Sequence, residues 1–180
     1  MELERKFRSL GDGITVTDGH VIEGYASVFG ARDQGGDVVE TGAYAASLAA
    51  LTAEGRRVKM LWQHDPAQPI GVWDEVREDG RGLWVKGRVL DSVAKGREAV
   101  ALMEAGAIDG LSIGYRTKRA RKDDGGRRLL TELELWEVSL VTFPMLPEAR
   151  VAAKGDDPAA AIWREMAAGL RALRLESGDR

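Results

Sequence analysis

The sequence predicts an α+β domain in which antiparallel strands dominate and short helices flank them. Three observations carry that reading. Apolar and polar residues alternate along several runs, the longest being Leu129 to Phe143. Turn formers separate the runs at hairpin spacing: Asp18-Gly19, Glu78 to Gly82, and Asp124-Gly125-Gly126. Helical spacing is confined to short segments near 42–51, 94–104 and 158–175.

In order, residues 2–9 alternate charged and apolar side chains, which predicts an edge strand. Ile14 to Thr17, the Asp18-Gly19 turn and Val21 to Phe29 predict a hairpin, with His20 on the flank of its turn. Gly30 to Val39 is turn-rich. Its Asp33 and Asp37 lack the closing Glu of a calcium loop, so turn chemistry is the better account. Thr41 is the expected N-cap of an alanine-rich helix with Tyr44, Leu48 and Leu51 on one side. Val58, Met60 and Trp62 share a strand face that continues to His64, where Asp65-Pro66 suggests that the strand opens into a loop. Strands are expected at 72–76 and 83–90, then a helix capped by Asp91 or Ser92 and closed by Gly106. Gly110 to Tyr115 reads as a short strand, and residues 116–128 as a basic hairpin or loop. In Leu129 to Phe143, both faces turn apolar toward the C-terminal half, as in a central strand. Pro144 and Pro147 stop it. Pro158 then opens a last helix with Ile162, Met166, Leu170 and Leu173 on one stripe. The expected division is a domain over 1–152, followed by a linker and helical tail over 153–180.

At 180 residues and 44% hydrophobic, the chain can bury a real core. A formal net charge of −3 gives no sign of a nucleic-acid partner. No cysteine is present, which excludes disulfides and thiol chemistry. With only two histidines besides, neither a structural zinc nor a three-histidine zinc site is expected, and no cofactor is. No apolar run is long enough to span a membrane, and the N-terminus lacks a signal-peptide core.

Three polar residues stand out. Ser112 sits in GLSIGY between Gly110 and Gly114, whose missing side chains leave room for a substrate backbone or simply suit tight packing. His64 lies at the end of an apolar strand face, as a core or rim residue or as a catalyst on a loop. Glu137 falls on a face that otherwise looks buried, where a carboxylate needs a partner. An imidazole fits, and so does one of the many arginines. G-x-S-x-G also matches the nucleophile elbow of α/β-hydrolases. That fold needs a histidine after the serine and a helix opening at it; both histidines precede Ser112, and no helical period follows. Serine requires a base, and imidazole, with an unperturbed pKa of about 6.5, serves when a third group orients it. His64 is the candidate base.

Six segments together resemble the prohead maturation proteases of tailed phages, distant relatives of the herpesvirus assemblins. They are EGYASVFG (23–30), GDVVETGAYAASL (36–48), MLWQHDPAQPIGVW (60–73), GLWVKGRVL (82–90), GLSIGY (110–115) and LWEVSLVTFP (135–144). The resemblance implies a compact, mainly antiparallel β-barrel flanked by helices. It implies His64 as base and Ser112 as nucleophile, with Glu137 at the position of the third member, a histidine in assemblins. It further implies an endopeptidase working in the immature capsid, in the host bacterial cytoplasm. Its expected partners are the major capsid protein with its scaffolding segment, portal or other internal head proteins, and a second copy of itself in a dimer. The tail after Val151 would be a removable extension. The competing expectation is a catalytically silent β-barrel scaffolding protein.

Overall fold

The computed structural model describes residues 4–8, 15–17, 20–33 and 35–142. The early strands are β1 (Glu4–Arg8), β2 (Thr15–Thr17), β3 (Val21–Val28) and β4 (Asp37–Val39). Helix α1 (Ala45–Ala53) precedes β5 (Lys59–Trp62), β6 (Asp65–Glu78) and β7 (Gly82–Val89). Helix α2 (Ala94–Glu104), β8 (Gly110–Lys122) and β9 (Arg128–Val141) follow.

The strands form one mixed sheet in the order β1-β8-β9-β5-β6-β7-β3-β2, with β4 also paired to β9. It curls into a half-barrel, and the hydrogen-bonded path among the described residues runs from β1 to β2 without closing. Among the described residues the parallel pairings are β4 with β9 and β5 with β9. β4 pairs with residues 128–130 of β9 and β5 with residues 137–140. The edge between those stretches is covered by α1 and the turn before it. Leu133 N–H donates to the Ala43 carbonyl at 2.8 Å, and Leu135 N–H to Ser47 Oγ at 2.9 Å. Backbone donors on that edge are thereby satisfied by the helix and the turn before it where no strand reaches. Ile22, Ile70, Leu83, Leu111, Ile113, Leu130 and Leu140 are fully buried in the core beneath.

Several expectations are revised. Thr41 does not cap α1. The helix begins at Ala45, its N-cap Tyr44 makes no side-chain capping bond, and the Glu78 carboxylate of β6 accepts the N–H groups of Gly42 and Tyr44 instead. A carboxylate from a neighbouring strand thus meets the electropositive start of the helix. Neither Asp91 nor Ser92 caps α2, whose N-cap is Val93, again without a side-chain bond. Gly106 does close α2, one residue past the C-cap with φ +70°. The loop expected at Asp65 is assigned to β6, which starts there, although its pairing with β5 is irregular between Trp62–Asp65 and Leu61–Pro69. Asp33 serves turn chemistry, its carboxylate accepting the Asp37 N–H at 2.7 Å. The serine strand continues through the basic segment, so that 110–122 and 128–141 form one long hairpin. The division at 152 and the helix over 158–175 lie outside the described residues.

Candidate active site

Three adjacent strands, β8, β9 and β5, bring the three residues together. In the β8–β9 register Ser112 faces Ser139, and Gly114 faces Glu137. Cross-strand partners share a face, so Ser112 and Glu137, two rungs apart, project to the same side. On the other edge of β9, Leu61 of β5 pairs with Ser139, and His64 follows three residues later.

His64 arrives through a tight turn. Trp62 pairs with Asp65, leaving Gln63 and His64 as the two central residues of the β5–β6 hairpin, with φ +51° and +63°. That is the backbone of a type I′ turn, for which glycine and asparagine are the usual residues. Holding a glutamine and a histidine there costs about 1–3 kcal/mol each. Bonds to the end of β9 hold the turn in place. Gln63 N–H donates to the Leu140 carbonyl at 2.9 Å, Gln63 Nε2 to Thr142 Oγ1 at 2.5 Å, and His64 N–H to Ser139 Oγ at 3.2 Å. The turn aims the imidazole back over β9.

The result is a continuous hydrogen-bonded line. Ser112 Oγ lies 2.6 Å from His64 Nε2, and His64 Nδ1 lies 2.6 Å from Glu137 Oε1. Glu137 Oε2 accepts from Ser139 Oγ at 2.5 Å. A carboxylate only accepts, so Nδ1 carries the proton and Nε2 is left to accept from the serine hydroxyl. Glu137 is 3% exposed, and its partner is the imidazole, not an arginine. Gly114 serves a purpose other than admitting a substrate backbone: the Glu137 carboxylate fills the space its Cβ would occupy. His20 stays on its turn, its carbonyl accepting the Val89 N–H.

Residues 8–161 match the caudovirus prohead serine protease family. The chain belongs to that family. It is 34% identical over 156 residues to the prohead protease of Enterobacteria phage HK97, an alignment covering 83% of this chain and 65% of the phage protein. It therefore spans slightly less than two thirds of that relative's length. It is also 31% identical over 102 residues to the capsid polyprotein of Pseudomonas phage PAJU2, covering 52% of this chain and 15% of the polyprotein. In fold it is similar to the bacteriophage T4 capsid assembly protease, with a TM-score of 0.59 at 17% identity, over 79% of this chain and 96% of that one.

Sequence reasoning named Ser112, His64 and Glu137, and all three meet here. It missed Gln63 and the part played by Ser139. Both lie beside residues already singled out, Gln63 before His64 and Ser139 two positions from Glu137. Polar side chains so close to a candidate base and acid were the available signal.

Proposed function

We propose that the chain is a serine endopeptidase of phage head maturation, with Ser112 as nucleophile, His64 as general base and Glu137 as the acid that orients it. The observation that carries this reading is the line Ser112–His64–Glu137, with both contacts at 2.6 Å. Ser112 Oγ attacks the scissile carbonyl carbon while its proton passes to His64 Nε2. Glu137, hydrogen-bonded at Nδ1, holds the ring in register and stabilises the imidazolium. The imidazolium then protonates the leaving amine, and a water activated by the same ring hydrolyses the acyl-enzyme. Along the chain the order is His, Ser, acid.

The substrates proposed are the scaffolding segment of the major capsid protein and the protease itself, inside the immature capsid of the host cell. The herpesvirus-protease-like reading of the fold, the dimer, the boundary at 152 and the removable tail belong to the same proposal. Ser112 has no exposed surface and His64 is 6% exposed. That burial suits a protease kept latent until assembly.

The test is co-expression with the cognate capsid protein, followed by mass measurement of the fragments and labelling with a fluorophosphonate. Cleavage and labelling, both lost in Ser112→Ala, are expected. A chain that assembles with capsid protein but neither cleaves nor labels would instead be the silent scaffolding protein.

A further inference from the structure

We propose that Ser139 is a positioning residue for this site: its one hydroxyl oxygen ties the backbone of His64 to the carboxylate of Glu137. The inference rests on the reading of Ser112, His64 and Glu137 as a catalytic unit. Ser139 is fully buried, faces Ser112 across β8–β9 and lies beside Leu61 of β5. Its Oγ is 3.2 Å from His64 N and 2.5 Å from Glu137 Oε2.

Chemistry sets the direction of both bonds. A backbone N–H can only donate, so Oγ accepts from His64. The hydroxyl has a single hydrogen, and it goes to the accepting Oε2. Ser139 thus fixes the two ends of the imidazole–carboxylate contact, the backbone that carries the ring and the carboxylate the ring meets. Each end needs fixing. His64 sits in a left-handed turn that departs from its preferred backbone, and the terminal torsion of a glutamate is broad. A buried carboxylate also needs more than one partner, and the hydroxyl provides the second. If Ser139 only filled space, alanine would replace it with little effect.

The experiment combines Ser139→Ala, Ser139→Thr and Glu137→Gln, with turnover measured per folded molecule and proton NMR of the His64 Nδ1–H. Ser139→Ala is expected to lower kcat by about 10- to 100-fold with KM within about twofold, since the group lost touches base and acid but not substrate. Ser139→Thr keeps the hydroxyl and is expected to recover most of the loss. In the Glu137→Gln background, Ser139→Ala is expected to cost less than about threefold more, because residues acting as one unit are not additive. The low-field Nδ1–H resonance is expected in the wild type and the threonine variant, and displaced or lost in the alanine variant.

Unchanged turnover and an unchanged resonance in Ser139→Ala would overturn the proposal, and so would fully additive losses in the double variant. Should alanine fail to fold, the threonine variant decides: loss of turnover and of the resonance in a folded Ser139→Thr protein refutes it. If the wild type neither cleaves nor labels yet its resonance responds as stated, the endopeptidase reading fails while the positioning role stands.

Discussion

Gly114→Ala tests whether the site depends on the close approach of β8 and β9. Gly114 faces Glu137 across the strand pair. A Cβ at position 114 would lie 2.6 Å from the Glu137 carboxyl carbon and 2.8 Å from its Cγ, and closer still to Oε1. Non-bonded carbons settle at about 3.5–4.0 Å, so the side chain must withdraw by roughly 1 Å. The Nδ1–Oε1 contact is 2.6 Å. Withdrawn by that amount it reaches about 3.6 Å, which is no longer a hydrogen bond. The added methyl costs about 1–3 kcal/mol as overpacking. Loss of the orienting acid is expected to lower kcat by about 10²- to 10⁴-fold with the fold intact. The assay is cleavage of the proposed capsid substrate, with the folded fraction fixed by circular dichroism melting on the same sample. An alanine variant that folds and turns over like the wild type would refute the reasoning, because the carboxylate would then have no need of the space.

Three further outcomes are expected. Ser112→Ala and His64→Ala are each expected to lose about 10⁴-fold or more in cleavage, the double variant being little worse, whereas His20→Ala keeps most activity; rate measurements on the four proteins check this. Glu137→Gln is expected to lower turnover between about tenfold and 10⁴-fold, since the amide can present a donor to Nδ1; full activity per folded molecule would leave a Ser112–His64 pair. Asp79 is held at a pKa of about 2: burial opposes ionisation, but the Arg81 N–H, the Tyr25 hydroxyl, the Gly82 N–H and Arg77 outweigh it. Its folded value lies below the ordinary 3.8, so its contribution is full above pH 3.8 and is lost as the pH falls through about 2. Asp79→Asn is expected to cost about 1 kcal/mol in urea unfolding near neutral pH, with the difference vanishing in strong acid.

The strand content and the three residues that meet at the candidate site were legible because each rests on local chemistry. Alternation marks a strand, glycines isolate a hydroxyl, and a carboxylate on an apolar face needs a partner. The start of α1 was not legible, because Glu78, far along the chain, accepts the N–H groups that Thr41 was expected to cap. Nor was the turn at His64. Gln-His carries none of the residues that favour a left-handed pair, and only its bonds to β9 explain it. The register was the hardest part. The β8–β9 hairpin closes with Lys122 opposite Arg128, and counting outward from there in strict pairs sets Ser112 opposite Val138. That register would turn Glu137 to the wrong face, since a one-residue slip inverts every side chain. The irregularities between Thr117 and Ala120 cancel, and the bulge at Trp136 shifts the count by one residue. Ser112 then meets Ser139, and Gly114 meets Glu137. Bulges of this kind leave little trace in a single sequence.

The bulge at Trp136 explains why an acid works at this position of the sheet. Between Tyr115–Leu135 and Gly114–Glu137, Trp136 is the extra residue; it points outward, half exposed, with Arg116 over its ring. The bulge re-aims the next side chain onto the face of Ser112, where Gly114 leaves it space and the Ser139 hydroxyl donates a hydrogen bond to it. Each device answers one demand of a buried carboxylate: direction, volume and hydrogen bonding. In the proposed mechanism the carboxylate brings a full negative charge beside an imidazolium that forms only during attack, and that charge is worth most where water is excluded. Glu137, Gly114, Ser139 and the bulge therefore form one solution, and changing any of them alone is expected to move the His64 ring.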